Sequence, residues 1–580
     1  MCLLFMDIYR YKMIKLFGYM KMRPNPIFPI YRLRSLLFAA AFVGVLSTFG
    51  LTSCSDYLDQ KTHNTLTDEQ AYGTLSSLKT NAVLSIYAYL GGSTDSKGLQ
   101  GTNRGVFDMN SLSTDEAIMP IRGGDWYDGG YWERLFTHEW RANEEPYLAT
   151  WEYLYEVVIL ANEFIDRVDT YGRQHPEDEA EVEAYRAELR AVRALFYFYL
   201  MDLYGNVPLI TRNDLTTDQV TQASRPEVFR FIVNELQAVR GLLGDDHSNL
   251  PGEYYGRMTN SVATFLLAKL ALNAEVYEDA DWTDGVRPDG KQIFFQVGSV
   301  RMNAWQTTIH YCRLLTDMGY RLEPDFAYNF SVNNEYSKEN IFTLPMDPVR
   351  GYFWYNYFFR SRHYCHGAAL GGGSENGTSA TLELYRAMGG DTDTPDNRYH
   401  QTFFAGKVWN DGKAVMMDDG VTPLVYYPDK VKLNLTGDPY ITTAGARLRK
   451  YENDPNANAD GRACHNDIVL FRYADALLMK AEAQVRDGES GLDALNEVRL
   501  RSSMSLLTTA TLDDILHERY VELAWEGWRR NDLVRYGIFS RSYTDRPRLE
   551  DEDNGYTTVY PIPEQMIEMH PAWKQNKGYE

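Results

Sequence analysis

The sequence predicts a mainly α-helical fold. Three observations carry this prediction. Apolar residues recur at three- and four-residue steps through much of the chain. Capping signals open several of these stretches. Segments that read as strands are short and few, so no large sheet is expected.

Taken in order, Thr67-Asp68-Glu69-Gln70 is a capping box, Thr at the cap and Gln three residues on, and it opens a helix running toward Tyr89 before Gly91-Gly92. Trp151, Leu154, Tyr155, Val158 and Ile165 place a second helix over 151–169. Leu189, Val192, Phe196, Tyr199 and Leu203 form one continuous apolar stripe over 181–204, and Gly205-Asn206-Val207-Pro208 ends it with Gly and then Pro. Further helices fit 225–243, 259–279 and 301–318. Another fits 468–486, with Leu470, Tyr473, Leu477 and Ala481 on its inner side and Gly488 after its end. Ser490 with Asp493 and Thr511 with Asp514 read as capping boxes that start helices over 491–501 and 512–536. From about 320 to 465, Gly, Asn, Asp, Pro and aromatic residues replace helical periodicity, and only 341–346 and 423–427 read as short strands. A structureless stretch of this length reads as a functional insertion carried on a helical scaffold. The helices fall in pairs joined by short turns, as in tetratricopeptide arrays, although no 34-residue sequence period is visible.

The chain has 580 residues and a formal charge of −22, with Gly 43 and Pro 22. These values exclude a collagen-like or linker-dominated chain, and the acidic balance argues against a nucleic-acid binder. Tyr 42, Phe 26 and Trp 11 are a surplus of aromatics. Residues 1–53 hold seven basic residues (Arg10, Lys12, Lys15, Lys21, Arg23, Arg32, Arg34) and one acid, Asp7, followed by an apolar run from Leu36 to Phe49. That order reads as a secretory signal, with Met20 or Met22 as alternative starts. The run is short of the about 18–20 residues that a membrane span needs. Leu51-Thr52-Ser53-Cys54 resembles a bacterial lipobox, so cleavage before Cys54 and lipid attachment to its sulfur are expected. Residues 54–580 would then carry −28 and form one domain: a helical part to about 320, the loop-rich insertion from about 320 to 465, and C-terminal helices and tail from about 466 to 580. Cys312, Cys365 and Cys464 show neither CxxC nor zinc spacing and read as small buried thiols.

Catalytic motifs are missing from the sequence: no HExxH, GxxxxGK[ST], GxSxG or GxGxxG occurs. Gly371-Gly372-Gly373 reads as a flexible turn. His363 and His366 flank Cys365 in a loop without ligand spacing. Asn456-x-Asn458-x-Asp460-Gly461, followed after five intervening residues by Asp467, is a degenerate calcium loop. It lacks the first Asp and the final bidentate Glu, so no cofactor is expected and calcium is only a weak alternative. In 518–535, Glu518, Glu522 and Glu526 alternate with Arg519, Arg529, Arg530 and Arg535. Like charges four residues apart need partners on other elements, so these residues read as struts between helices.

The candidate binding residues lie in aromatic loops. The stretch 114–132 mixes Trp and Tyr with Gly and Asp, without a period that would bury them. A flat sugar ring needs an aromatic platform together with groups that pair its hydroxyls. Trp126 and Trp132 would stack, while Asp115, Arg122 and Asp125 would hydrogen-bond. A second run, Tyr352 to Arg360, adds Tyr352 and Trp354. The alternative is that these aromatics pack the insertion or meet a partner.

Four motifs, in order, carry a resemblance. Arg190-Ala191 is followed by Tyr204-Gly205-Asn206-Val207-Pro208. Ile468-Val469-Leu470-Phe471-Arg472-Tyr473-Ala474-Asp475 leads through Leu477-Leu478-Met479-Lys480-Ala481-Glu482-Ala483 to Leu495–Arg501. Glu518-Arg519-Tyr520-Val521-Glu522-Leu523-Ala524-Trp525-Glu526-Gly527-Trp528-Arg529 precedes Asp532-Leu533-Val534-Arg535. Tyr560-Pro561-Ile562-Pro563 precedes Gln575-Asn576-Lys577-Gly578-Tyr579, with Lys577 where Pro is usual. Behind a lipobox, this set resembles the SusD/RagB family of outer-membrane lipoproteins across nearly the whole chain from Cys54. The resemblance implies a SusD-like fold, non-catalytic binding of nutrient glycans at the cell surface with contacts in the early loop, and a SusC-like TonB-dependent transporter as partner. A RagB-like peptide binder with the same partner, or a surface glycosidase, are the alternative readings.

Overall fold

The computed structural model describes residues 67–92, 94–100, 103–349, 356–457 and 462–580. The signal segment, the lipobox with Cys54, Tyr352 and Trp354 lie outside them. The chain divides into two compact units at Thr74/Leu75. In the first, the Thr67–Gln70 capping box forms and starts the helix Asp68–Tyr72. That helix ends at Gly73, whose N–H closes on Glu69 O, and does not run on toward Tyr89. Leu75–Tyr89 is instead a succession of α, π and 3-10 turns.

The second unit is mainly helical, as the sequence predicts. Its scaffold helices are α1 (Glu145–Gln174), α2 (Glu179–Tyr204), α3 (Arg225–Val239), α4 (Asn260–Leu272), α5 (Ala304–Asp317), α6 (Tyr473–Asp487), α7 (Leu492–Arg501), α8 (Leu512–Glu522) and α9 (Arg529–Arg535). Each packs mainly on its neighbours: α1 on α2, α2 on α3, α4 on α5, α5 on α6, and α6 on α7 and α8. The stripe on α2 is buried from Leu189 to Leu203. Its last residue hands over to Gly205 at φ 69°, where a Cβ would stand 2.8 Å from the Trp282 ring. No described helix is long and apolar enough to cross a membrane.

Three stretches change element type or continuity relative to the sequence reading, besides shifts of helix ends such as 145–174 for 151–169 and 260–272 for 259–279. Ile468–Arg472 is a fully buried strand paired antiparallel with Asn340–Leu344, and the helix begins only at Tyr473. A strand buried on both faces reads as a continuous apolar run, which periodicity cannot separate from a buried helix. The 301–318 stretch starts as a hairpin strand, Val300–Asn303, before the Asn303–Gln306 capping box turns the chain into α5. The 512–536 helix breaks between α8 and α9, where Trp525 (φ 67°) and Gly527 (φ 76°) take left-handed conformations. The Thr511–Asp514 box forms as expected. At 490–493 the cap is Gly491 instead of Ser490, because a Cβ there would meet Ala481 O at 2.3 Å.

The break lets the charged residues of α8 and its exit reach across the core. Arg398 donates to Glu518 and Glu522 at 2.7 Å each, Arg472 to Glu522 (2.7 Å) and Glu526 (2.8 Å), and Lys450 to Glu526 at 2.5 Å. Arg519 joins Asp475 (2.7 Å) to Asp532 (2.9 Å), and Arg535 joins α9 to Glu482 of α6 at 2.8 Å. These side chains are buried, and buried charges persist only when paired, so the strut reading of 518–535 holds.

Candidate functional site

The early loop is anchored before it is exposed. Ala117–Ile118 pairs with Ser379–Ala380, and Ile121 exchanges backbone hydrogen bonds with Leu433 and Leu435 at 2.8 Å. Arg122 and Asp125 then close a tight turn through Gly123 (φ 71°) and Gly124. This turn projects Asp125, Trp126 and Tyr127 outward.

Trp126 is half-buried and sits at φ 61°, a conformation unusual for a bulky residue and one that marks functional loops. Its Nε1–H donates to Glu375 O at 3.0 Å, and its ring meets Trp132 edge-on at 6.1 Å. Gly377 makes room for the indole: a Cβ there would lie 2.8 Å from Trp126 Cε2. Asp125 is exposed and accepts from Tyr364 Oη at 3.2 Å. Tyr127 and Tyr364 are themselves exposed. Asn410 Nδ2 donates to Ala369 O at 2.5 Å, which holds a hairpin bearing the exposed Trp409 against the short helix Tyr364–Ala369.

Three residues that the sequence reading chose as ligand contacts are interior. Asp115 is fully buried, its carboxylate held by Arg529 (2.7 and 2.8 Å) and Arg541, and its carbonyl by Tyr520 Oη (2.5 Å) and Thr381. Burial pushes its carboxyl up, but the two guanidinium groups outweigh burial and hold it below the usual carboxylate range. Arg122 is buried and donates to Ile441 O (2.6 Å), Ala444 O (3.1 Å), Gly377 O (3.4 Å) and Ser379 Oγ (3.1 Å). Trp132 is 1% exposed, donates to Asp128 at 2.7 Å, and lies between the Arg104 and Arg360 cations at 5.5 and 5.4 Å. All three shape the loop and leave no face for a ligand. Of the early-loop residues selected, Trp126 and Asp125 are accessible. Tyr127 and Trp409 belong to aromatic loops visible in the sequence but were not selected as contacts, and Tyr364 was not noticed; all three are exposed.

The rest of the chemistry is enclosed. His363 Nδ1 accepts from Cys365 N–H (3.1 Å), and His366 Nδ1 pairs with Tyr426 Oη (3.1 Å). Burial, with Arg447 nearby, pushes them down to about 4 and about 3, so both are neutral. Asp467, the closing position of the calcium pattern, points inward and accepts from Tyr255 Oη (2.5 Å) and Met346 N–H (3.0 Å). Burial raises Asp467 and Glu116 to about 7 each, but both are sealed from solvent. Among the described residues, His175, Glu177 and Asp178 bring ligand atoms within 4.8 Å of one another, on the turn between α1 and α2. A cavity of about 40 Å³ beside Phe359, Leu370 and Asn453 has room for a few waters and not for a sugar ring. A larger cleft of about 460 Å³ lies between α1 and α2, lined by Asp169, Arg173, Pro176 and Arg186 among others and by no aromatic residue.

Comparison with known proteins places the chain. The model of the SusD family matches residues 314–579, and one described as "Starch-binding associating with outer membrane" matches 103–272. The chain is 26% identical to the starch-binding protein SusD of Bacteroides thetaiotaomicron, over 94% of this chain and 98% of that one. A SusD-like protein from Bacteroides fragilis superposes with a TM-score of 0.67 at 20% identity, covering 89% of this chain and 99% of that one. Surface glycan-binding protein A from Bacteroides thetaiotaomicron, solved with laminarihexaose, superposes with a TM-score of 0.63 at 20% identity, covering 86% and 98%. The chain belongs to the SusD family.

Proposed function

We propose that this protein binds nutrient glycans at the outer membrane without catalysing their cleavage, and delivers them to a SusC-like TonB-dependent transporter. The observation that carries the reading is the outward projection of Trp126 beside Asp125, Tyr127 and Tyr364 on a loop anchored from beneath. The accessible part of the half-buried indole offers an apolar face to the C–H face of a sugar, and the carboxylate and phenol beside it pair ring hydroxyls. A starch-binding relative and a laminarihexaose-bound structural neighbour support the ligand class. The family description supports the location. Binding requires no perturbed acid at the surface, in keeping with the enclosure of Glu116 and Asp467. Lipid on Cys54 would tether the body to the membrane.

Titration calorimetry of the chain from Cys54 onward against a glycan panel, with Trp126→Ala as control, tests the ligand. Saturable binding that the variant weakens supports the reading. Silence toward glycans with binding to a peptide library would replace the glycan by a peptide. Release of reducing ends, abolished by one carboxylate substitution, would make the protein a hydrolase. Pull-down from outer membranes tests the partner: recovery of a β-barrel transporter is expected, and its absence contradicts the delivery role.

A further inference from the structure

The turn that carries Trp126 stands over two buried arginines that form no ion pair with any described residue. Arg122 is 5% exposed and Arg447 is fully buried. Arg122 donates only to three carbonyls and Ser379 Oγ. Arg447 donates to the same Ser379 Oγ, to Asn376 Oδ1 at 3.0 Å and to Thr442 O at 3.0 Å. None of these partners is a carboxylate, and the Nε of each arginine has no hydrogen-bond partner. Many other buried arginines of the chain pair with acids, as at Arg360–Asp108, Arg472–Glu522 and Arg535–Glu482. A buried charge without a counter-ion is costly, so its retention beside an exposed loop calls for an explanation.

The neighbouring groups register the same field. Arg447 and Arg122 contribute to keeping His363 neutral, and Arg447 to keeping His366 neutral. The turn over Arg122 is open at Gly124, where an added Cβ would meet no atom within 4 Å, while at Gly123 it would meet Ile441 Cδ1 at 3.4 Å, so a ligand can approach closely on the Gly124 side.

Resting on the glycan-binding reading above, we infer that the ligand of this face is an acidic glycan, whose uronate carboxylate or sulfate ester lies over the Gly123–Gly124 turn while a neighbouring ring stacks on Trp126. The arginines act through the turn as a fixed positive field, without direct contact. A ligand anion supplies charge that none of the arginines' own hydrogen-bond partners carries, and this field selects it over a neutral analogue, opposed in part by the exposed Asp125 on the same turn.

The test uses matched probes of equal length: hexagalacturonate against its methyl ester, and sulfated laminarihexaose against laminarihexaose. The acidic member of at least one pair is expected to bind tenfold or more tightly than its neutral partner. The gap should shrink as salt is raised toward about 1 M, where the screening length falls to about 3 Å. The carboxylate and sulfate pairs distinguish the two sources of charge. Gly124→Glu places a carboxylate over the turn in open space, with Gly124→Gln as its isosteric control. The Glu variant should lose affinity for the acidic probe at least fivefold relative to the Gln variant, with equal binding of any neutral probe. Neutral probes binding as tightly as acidic ones, or Glu and Gln variants behaving alike, would overturn the inference and leave the glycan-binding reading standing. Failure of every probe to bind the folded protein would overturn both.

Discussion

Asp115→Asn separates a structural residue from a ligand contact. In the structure this carboxylate is buried, with two hydrogen bonds from Arg529 at 2.7 and 2.8 Å and another from Arg541. The amide keeps the shape and removes the charge. Arg541 is 44% exposed at its side chain and rehydrates, so its share is small. Arg529 is 3% exposed and is left as a buried cation compensated by the Tyr520 ring, 3.6 Å away, and by the more distant Asp532 carboxylate. Removing one partner of a buried pair costs about 3–5 kcal/mol, and the ring contact places this case near the low end, about 3 kcal/mol. For a body of this size, with an unfolding entropy of roughly 1 kcal/mol per kelvin, that is a fall in Tm of about 3 °C. The pH dependence has a fixed sign. The carboxyl titrates below its ordinary value in the fold, so its stabilisation is complete above the usual carboxylate range and is lost as pH falls through the lowered value. Urea unfolding at pH 7 and at acid pH reads both, and the gap between wild type and variant should narrow in acid. An Asp115→Asn protein with wild-type stability and abolished glycan binding would refute the burial argument and return Asp115 to the ligand.

Three further outcomes are expected. Burial raises Glu116 from 4.5 to about 7, only partly opposed by its hydrogen bond to Ser111, so its contribution to stability is full below about 4.5 and lost as pH rises to about 7; Glu116→Gln should flatten that part of the stability-against-pH curve, by an amount on the order of 3 kcal/mol. Gly377→Ala forces a Cβ into the Trp126 ring and Met119 Sδ, at 2.8 and 2.9 Å, so it should shift the Trp fluorescence and lower glycan affinity about tenfold with little loss of Tm; unchanged affinity would mean that the position of the indole does not matter. Among the described cysteines, the partly exposed Cys365 should label first with an alkylating reagent, and slowly, since burial and Asp418 push its thiol to about 11. Cys312 and Cys464 should label only on unfolding, which mass spectrometry of digested protein can follow.

Much of the scaffold was legible because it follows local rules. The α2 stripe, its Gly205 stop and the Thr511–Asp514 cap need only neighbouring residues to be read, and each forms as expected. The strand at Ile468–Arg472 and the break at Trp525–Gly527 were not legible. Their causes lie elsewhere: a partner strand at Asn340–Leu344, and the need of Glu526 to reach Lys450 and Arg472. The candidate site divides in the same way. That 114–132 is an aromatic loop can be read from its composition. Which of its side chains face water depends on Arg529, 414 positions after Asp115, and on Ser379 and Ile441, which hold Arg122. Asp115 looked like a ligand group because a short sequence window contains neither Arg529 nor Arg541, and Trp132 because the window shows Asp128 but not Arg360, which helps to bury it. Tyr364 was overlooked because its neighbour Asp125 is 239 positions away.

A crystal structure of the protein bound to a glycan that titrates with it tests the central claim most directly. The account predicts a sugar ring lying on the exposed face of Trp126, with carbon–carbon contacts of about 4 Å, and its hydroxyls within hydrogen-bond reach of Asp125 and Tyr364. A glycan seated elsewhere, with the Trp126 face bare, would contradict it.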